Sequence, residues 1–226
     1  MSVTSVLVSG IGVWFSLAVS SAIGEEAMGV FQLILSVVSF GSTFACSGIQ
    51  LAAARLTAKK LGEGKEGALG SVMKRCFAYG GSFGTVGCIL LFSLSHPIAE
   101  YCLHSPVTAL PLQVAAFSLP LVGLTAALNG YFTAVSRVGK CCFIQVAEQL
   151  CRVGLTLLSL HLWGKDLSSV CCCILGAGLF SQLLGFLLLL LLYFADRRRY
   201  PRGHGEKGDT AALLHIGLPI AGSTYL

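Results

Sequence analysis

The sequence predicts an all-α protein that crosses a membrane several times. Hydrophobic residues make up 55% of the 226 residues, only 11% are charged, and the mean hydropathy is +0.81. A soluble domain carries about 25% charged residues. The hydrophobic residues are grouped in runs of about 20, the length that a helix needs to cross the hydrocarbon core. Polar or glycine-rich breaks separate these runs, which is typical of a polytopic membrane protein.

Six complete spans are predicted, and a seventh begins near Ala211. We expect one six-helix lobe, then a cytoplasmic linker, then the start of a second lobe that this sequence does not complete. The first span lacks the basic start of a cleaved signal peptide, so we expect it to be retained. The predicted ranges are 3–23, 28–52, 76–95, 107–134, 141–163 and 168–194 for the spans, 1–195 for the lobe, 196–210 for the linker and 211–226 for the second lobe.

The positions of lysine and arginine predict the orientation of the chain. Thirteen of the 15 basic residues fall in alternate connections between spans, at 53–75, 137–140 and 196–210. Lys165 is the exception among the other connections, and Arg152 lies inside a span. Because cytoplasmic loops of membrane proteins are enriched in basic residues, we expect the N-terminus and these three connections to be cytoplasmic.

The net charge of +5 and the ten cysteines do not indicate other classes of function. Basic loops beside spans are typical of contact with anionic lipid headgroups, so we expect membrane lipids rather than nucleic acid as partners. Nine of the cysteines fall within or at the ends of spans, where they act as small apolar residues. The sequence contains no zinc-binding cysteine and histidine pattern, no phosphate-binding glycine loop and no hydrolase motif. We therefore expect no metal, no cofactor and no enzymatic activity.

The fifth predicted span is the only one with charges in its interior. Gln145, Glu148, Gln149 and Arg152 recur at helical spacing and share one face, which Thr156 extends. Measured from the cytoplasmic end of the span at about 1.5 Å per residue, Glu148 lies roughly 10 Å deep and Arg152 roughly 16 Å deep. A charge near mid-bilayer costs about 3 kcal/mol, so this face must contact protein or water.

Two interpretations of these charges remain open. In the first, Glu148 and Arg152 neutralise each other and hold the helix in its bundle. In the second, they line an aqueous cavity where Arg152 meets an anionic substrate, which is favoured because charges inside membranes are usually functional. Asn129 and Arg55 are further candidates for the cavity. Alone, the first is typical of an interhelical hydrogen bond, and the second of a side chain that reaches the headgroups.

Three stretches, in order along the chain, carry a resemblance to a known family. They are IGEEAMGVFQL at 23–33, ALNGYF at 127–132 followed by QVAEQLCRV at 145–153, and HIGLPI at 215–220. Together they resemble the stage V sporulation protein B family, polysaccharide exporters of the multidrug/oligosaccharidyl-lipid/polysaccharide superfamily. The first span differs from that pattern, because it has serines where family members often carry arginines. This difference leaves Arg152 as the main candidate for binding phosphate.

The resemblance implies a transporter of two six-helix lobes, about 12–14 helices in all, around a cavity that opens alternately to each side. This chain would supply the first lobe, and its partner would be the second. The implied substrate is an undecaprenyl-pyrophosphate-linked oligosaccharide or peptidoglycan precursor, flipped across the bacterial cytoplasmic membrane for cell-wall, spore-cortex or polysaccharide biosynthesis. Two alternatives stay open: a cation-coupled multidrug exporter of the same superfamily, and a structural membrane subunit.

Overall fold

The computed structural model describes residues 2–23, 25–46, 48–102, 108–163 and 167–198, and within these ranges every regular element is helical. The predicted second lobe at 211–226 and almost all of the predicted linker lie outside these ranges. There are eight α-helices in the described part: α1 (Ser2–Ile23), α2 (Glu25–Cys46), α3 (Ile49–Gly62), α4 (Leu69–Pro97), α5 (Ala109–Ala116), α6 (Ser118–Ala134), α7 (Val138–Trp163) and α8 (Leu167–Arg197).

The helices confirm an all-α membrane protein. Five helical segments of the described part are long and apolar enough to cross a bilayer, and they correspond to the second to sixth predicted spans. Helix α1 coincides with the first predicted span. The five segments are Met28–Gly62, Leu69–Tyr101, Ala109–Ala134, Val138–Ser159 and Val170–Arg197.

The second predicted span, 28–52, is interrupted and then extended in the structure. Helix α2 ends at Cys46, and Gly48 has a φ of 69°, in the left-handed region that glycine adopts without a steric cost. Helix α3 then continues to Gly62, so most of the predicted connection 53–75 is helical rather than a loop. The prediction ended too early because the polar residues of α3 end the apolar run, although two of them, Thr57 and Lys60, are buried.

The fourth predicted span, 107–134, consists of two helices that meet at Phe117. Proline at position 120 has no N–H to donate to the carbonyl of Ala116, the last residue of α5. The chain still continues as a single apolar segment able to cross the membrane. The helix is therefore interrupted at Phe117, about one turn before the proline.

Glycines allow α4 and α6 to pack with their backbones almost in contact. A Cβ added at Gly80 would lie 2.7 Å from the carbonyl oxygen of Gly123, and one at Gly84 would lie 2.7 Å from Cα of Pro120. Gly80 and Gly84, which form a GxxxG motif in α4, therefore serve helix packing, as expected of small residues in membrane helices. Buried side chains fill the space on both sides of this contact, with Leu119 in one core cluster and Met73 in the other.

A polar network closes the ends of α6, α7 and α8 that the sequence predicts to be cytoplasmic. Asp196 is buried, pairs with Arg137 in the turn before α7, and accepts a hydrogen bond of 3.1 Å from the hydroxyl of Tyr131. Arg197 packs against Gly70, at the start of α4. These two arginines thus bind protein groups, whereas the sequence indicated only headgroup contacts for them.

Candidate substrate cavity

Helix α7 carries the predicted polar face without a break from Val138 to Trp163. Gln145, nearest the start of the helix, is exposed. Glu148, Gln149 and Arg152 are half-buried, and Thr156 is fully buried. Because α7 packs mainly on α8 and also on α1, the middle of its polar face turns inward while its first residue stays outside.

Two neighbouring cavities lie beside this face. Cavity A, of about 480 Å³, is enclosed by α2, α5, α6, α7 and α8. Cavity B, of about 690 Å³, lies between α1, α2 and α7. The polar side chains of cavity A are Ser39, Ser42, Ser118, Glu148, Arg152 and Gln182, and those of cavity B are Ser16, Gln32, Ser36, Ser39, Gln149 and Arg152.

Arg152 is the charged residue that borders both cavities. Its Nε atom is buried and has no hydrogen-bond partner. Within the described ranges, its guanidinium also forms no ion pair at 4.0 Å or less. Leaving a buried donor such as this Nε–H without a hydrogen bond is costly, since the group loses its hydration.

Glu148 lies one turn from Arg152 but does not close onto it. Its carboxyl group lies against Gly185 of α8, while Arg152 lies against Gly178 of the same helix. The backbone carbonyl of Glu148 accepts a hydrogen bond of 2.5 Å from Ser181 Oγ, which joins α7 to α8. Within the described ranges no ion pair of 4.0 Å or less joins Glu148 to Arg152, although the two charges interact electrostatically. Both interpretations of the sequence therefore stay open.

The other predicted site residues divide between the cavities and the rest of the lobe. Gln149 lines cavity B, as predicted. Gln145, Asn129 and Arg55 line neither cavity. Arg55 is exposed on α3, and Asn129 lies on α6 with its Oδ1 buried and without a hydrogen-bond partner.

Sequence reasoning missed the contribution of other helices to the cavities. Gln32, Ser36 and Ser39 recur along α2 at helical spacing, and all three line cavity B. Gln182 of α8 lines cavity A. The spacing on α2 is a signal that could have been used. Within the described part of the chain, no group of three or more histidine, cysteine or acidic side chains is placed to hold a metal.

Comparison with solved structures shows that the fold of this chain resembles about half of several longer membrane-protein chains. A MOP superfamily transporter from Pyrococcus furiosus Vc1 (DSM3638), described as having a binding pocket of reverse polarity, matches with a TM-score of 0.74 at 14% identity. The match covers 100% of this chain and 51% of that one. MATE in the straight conformation and MATE in complex with Br-NRF match with TM-scores of 0.72 and 0.70, at 14% and 12% identity. They cover 100% of this chain and 52% and 53% of those chains.

The family follows from the sequence comparison. The family described as "Polysaccharide biosynthesis protein" matches residues 1–226, and the chain belongs to it. A curated relative, stage V sporulation protein B of Bacillus subtilis (strain 168), is 21% identical over 220 residues. That match covers 90% of this chain and 41% of the relative, so the chain spans less than half of that protein's length. The resemblance predicted from the sequence is confirmed.

Proposed function

We propose that this chain is the first lobe of a flippase for a lipid-linked oligosaccharide or peptidoglycan precursor. The substrate would be carried on undecaprenyl pyrophosphate and moved across the bacterial cytoplasmic membrane by alternating access between this lobe and a second one. The family and its transporter fold support the general class. The observation that carries the substrate class is the position of the Arg152 guanidinium between two polar cavities, with its buried Nε free of any hydrogen bond.

The chemistry of the substrate explains why such a cation is useful. A lipid-linked sugar has an apolar tail that stays in the bilayer and an anionic pyrophosphate that must cross it. Desolvating that anion is costly unless a fixed positive charge compensates it. The guanidinium presents a planar set of donors that matches phosphate oxygens in a bidentate way. Glu148 also lines cavity A and limits the attraction, so that the substrate can leave.

Substitutions of Arg152 test this proposal. Arg152→Ala should abolish flipping, because the pyrophosphate loses its partner and Glu148 becomes an uncompensated negative charge beside the path. Arg152→Lys should retain only part of the activity, since the bidentate arrangement is lost. The measurement is flipping of a lipid-linked sugar by the full-length protein in proteoliposomes, with insertion checked separately. Leu150→Val is the matched control, because Leu150 is 56% exposed on the other side of α7.

The double variant Glu148→Gln with Arg152→Gln separates this proposal from a structural role. Two neutral amides still fill the space and form hydrogen bonds, so a merely structural pair would leave flipping largely intact. Loss of a substrate-binding arginine cannot be compensated in this way, and flipping should stay lost in a folded protein. Flipping at close to the parental rate would exclude substrate binding by Arg152.

A cation-coupled multidrug exporter is the second candidate, favoured by the likeness to the MATE structures and by the Glu148 carboxylate in cavity A. An exporter of cationic drugs would use the carboxylate and would be hindered by the arginine. Glu148→Gln should then abolish drug efflux, and Arg152→Gln should increase it. The lipid-linked substrate predicts that Arg152→Gln is the more damaging of the two.

A further inference from the structure

We propose that Gly178 and Gly185 of α8 are positioning residues that hold Arg152 and Glu148 apart, so that the guanidinium stays available to a pyrophosphate. The ligand in this inference rests on the proposed function, whereas the positioning itself rests on geometry. Arg152 lies against Gly178 and Glu148 lies against Gly185, and no larger residue could take the place of Gly185 without moving Glu148.

The contacts at the two glycines differ in tightness. A Cβ added at Gly185 would lie 2.8 Å from Cδ of Glu148, closer than Cβ atoms approach, and 3.2 Å from its Cγ, which is a tight contact. A Cβ added at Gly178 would lie 3.5 Å from Nε of Arg152 and 3.7 Å from its Cζ, which is ordinary van der Waals contact. Because Gly185 has no side chain, the Glu148 carboxyl group can occupy the space beside it. Gly178 forms a packing surface for Arg152.

The spacing of the glycines separates the two charges. Glu148 and Arg152 are four residues apart, about 6 Å along α7, whereas Gly185 and Gly178 are seven residues apart, about 10 Å along α8. The earlier charged residue meets the later glycine, so the two helices run antiparallel. Ser181, midway between the glycines, fixes this register through its hydrogen bond to the carbonyl of Glu148. Packing of Glu148 against Gly185 and of Arg152 against Gly178 thus increases the distance between two charges that would otherwise attract at i, i+4 spacing.

Replacing Gly185 should therefore close the pair. In Gly185→Ala the added methyl group occupies the space of the Glu148 carboxyl group, which must move. The nearest opposite charge on its own helix is Arg152, one turn away. An ion pair then competes with any anion for the guanidinium, so anion affinity falls. Gly178→Ala should have a smaller effect, and Gly176→Ala none, because nothing lies within 4 Å of a Cβ at Gly176.

The experiment measures binding of geranylgeranyl pyrophosphate to the purified full-length protein in detergent by calorimetry. We expect Gly185→Ala to weaken binding about tenfold, the factor that corresponds to about 1.4 kcal/mol. Gly176→Ala is the matched control on the same helix and should bind as the parent does. Adding Glu148→Ala to Gly185→Ala should restore binding, since it removes both the clash and the competing carboxylate.

The affinity and folding of the two variants decide whether Gly185 has the positioning role. Parental affinity in Gly185→Ala, or no recovery in the double variant, overturns it. If Gly185→Ala fails to fold, the double variant must recover folding, and its failure to do so also overturns the positioning role. Recovery of folding or of affinity supports it.

A second measurement separates this inference from the proposed function. A double-mutant cycle with Glu148→Gln and Arg152→Gln, read by thermal unfolding, should show stronger coupling in the Gly185→Ala background than in the parent. If Arg152→Gln leaves pyrophosphate binding to the parent protein unchanged, the proposed function fails. The double-mutant cycle then tests the positioning role independently of the ligand. Equal coupling in both backgrounds refutes the positioning role whatever the ligand.

Discussion

The close contact of α4 and α6 predicts opposite effects for the same substitution at two adjacent positions. Gly80 and Gly81 are consecutive residues in the middle of α4. A Cβ at Gly80 would lie 2.7 Å from the backbone oxygen of Gly123 on α6. A Cβ at Gly81 would lie 3.6 Å from Cδ2 of Leu124, a flexible side chain at ordinary contact distance. Gly80→Ala should destabilise the lobe relative to Gly81→Ala.

The size of this difference follows from the two contacts. A carbon approaches a carbonyl oxygen comfortably at about 3.3 Å or more, so the helices must separate by about 0.6 Å to admit the methyl group at Gly80. Overpacking of this kind costs about 1–3 kcal/mol. Both variants gain about 1 kcal/mol of helix propensity, since alanine replaces glycine in a helix interior. The gain is common to both, so Gly80→Ala should be less stable than Gly81→Ala by about 1–3 kcal/mol.

Unfolding of the full-length protein in mixed detergent and dodecyl sulfate micelles, followed by circular dichroism, measures this difference. Comparison of the two variants removes the shared propensity gain and leaves the contact with Gly123. If Gly80→Ala is as stable as Gly81→Ala, the backbones of α4 and α6 do not approach each other as closely as the structure indicates, and the packing role of this glycine pair is wrong.

Two further predictions concern the side of the lobe that carries most basic residues. Asp196→Asn should lower stability by about 1–3 kcal/mol, because it leaves Arg137 and Tyr131 without their charged partner, whereas Arg198→Gln, at an exposed position, should not change the unfolding midpoint. A cysteine at Lys65, in a background without native cysteines, should resist an impermeant thiol reagent in intact cells and react after permeabilisation, because the basic connections are expected to be cytoplasmic. Labelling in intact cells would show that the orientation is the reverse of the predicted one.

Hydropathy predicted the helical class and most of the spans because a bilayer imposes a length and a composition on any helix that crosses it. It could not predict where helices bend or how far they continue beyond the apolar run. The break at Gly48 depends on one backbone conformation, and the extension of α3 depends on burial of Thr57 and Lys60 against other helices. Those features are set by tertiary contacts that no window of sequence contains.

The candidate site was predictable to the extent that one helix determines it. Periodicity placed Glu148, Gln149 and Arg152 on one face, and the structure brings all three to the cavities. Periodicity does not say which end of a face stays outside the bundle, and this is why Gln145 was included but is exposed. The residues of α2 and α8 that complete the cavities come from distant parts of the chain, so only their packing against α7 reveals them.

The separation of Glu148 and Arg152 bears on the proposed binding role of Arg152. A closed ion pair one turn apart would offset much of the cost of placing two charges inside a membrane protein, about 3 kcal/mol each on insertion scales. The lobe does not use this solution, because Gly185 accommodates the carboxyl group and leaves the guanidinium without a partner within the described ranges. Under the proposed function, the pyrophosphate takes the place of the carboxylate for part of the transport cycle. The free energy lost by holding the charges apart in the empty cavity then favours the state in which the cavity holds the anion.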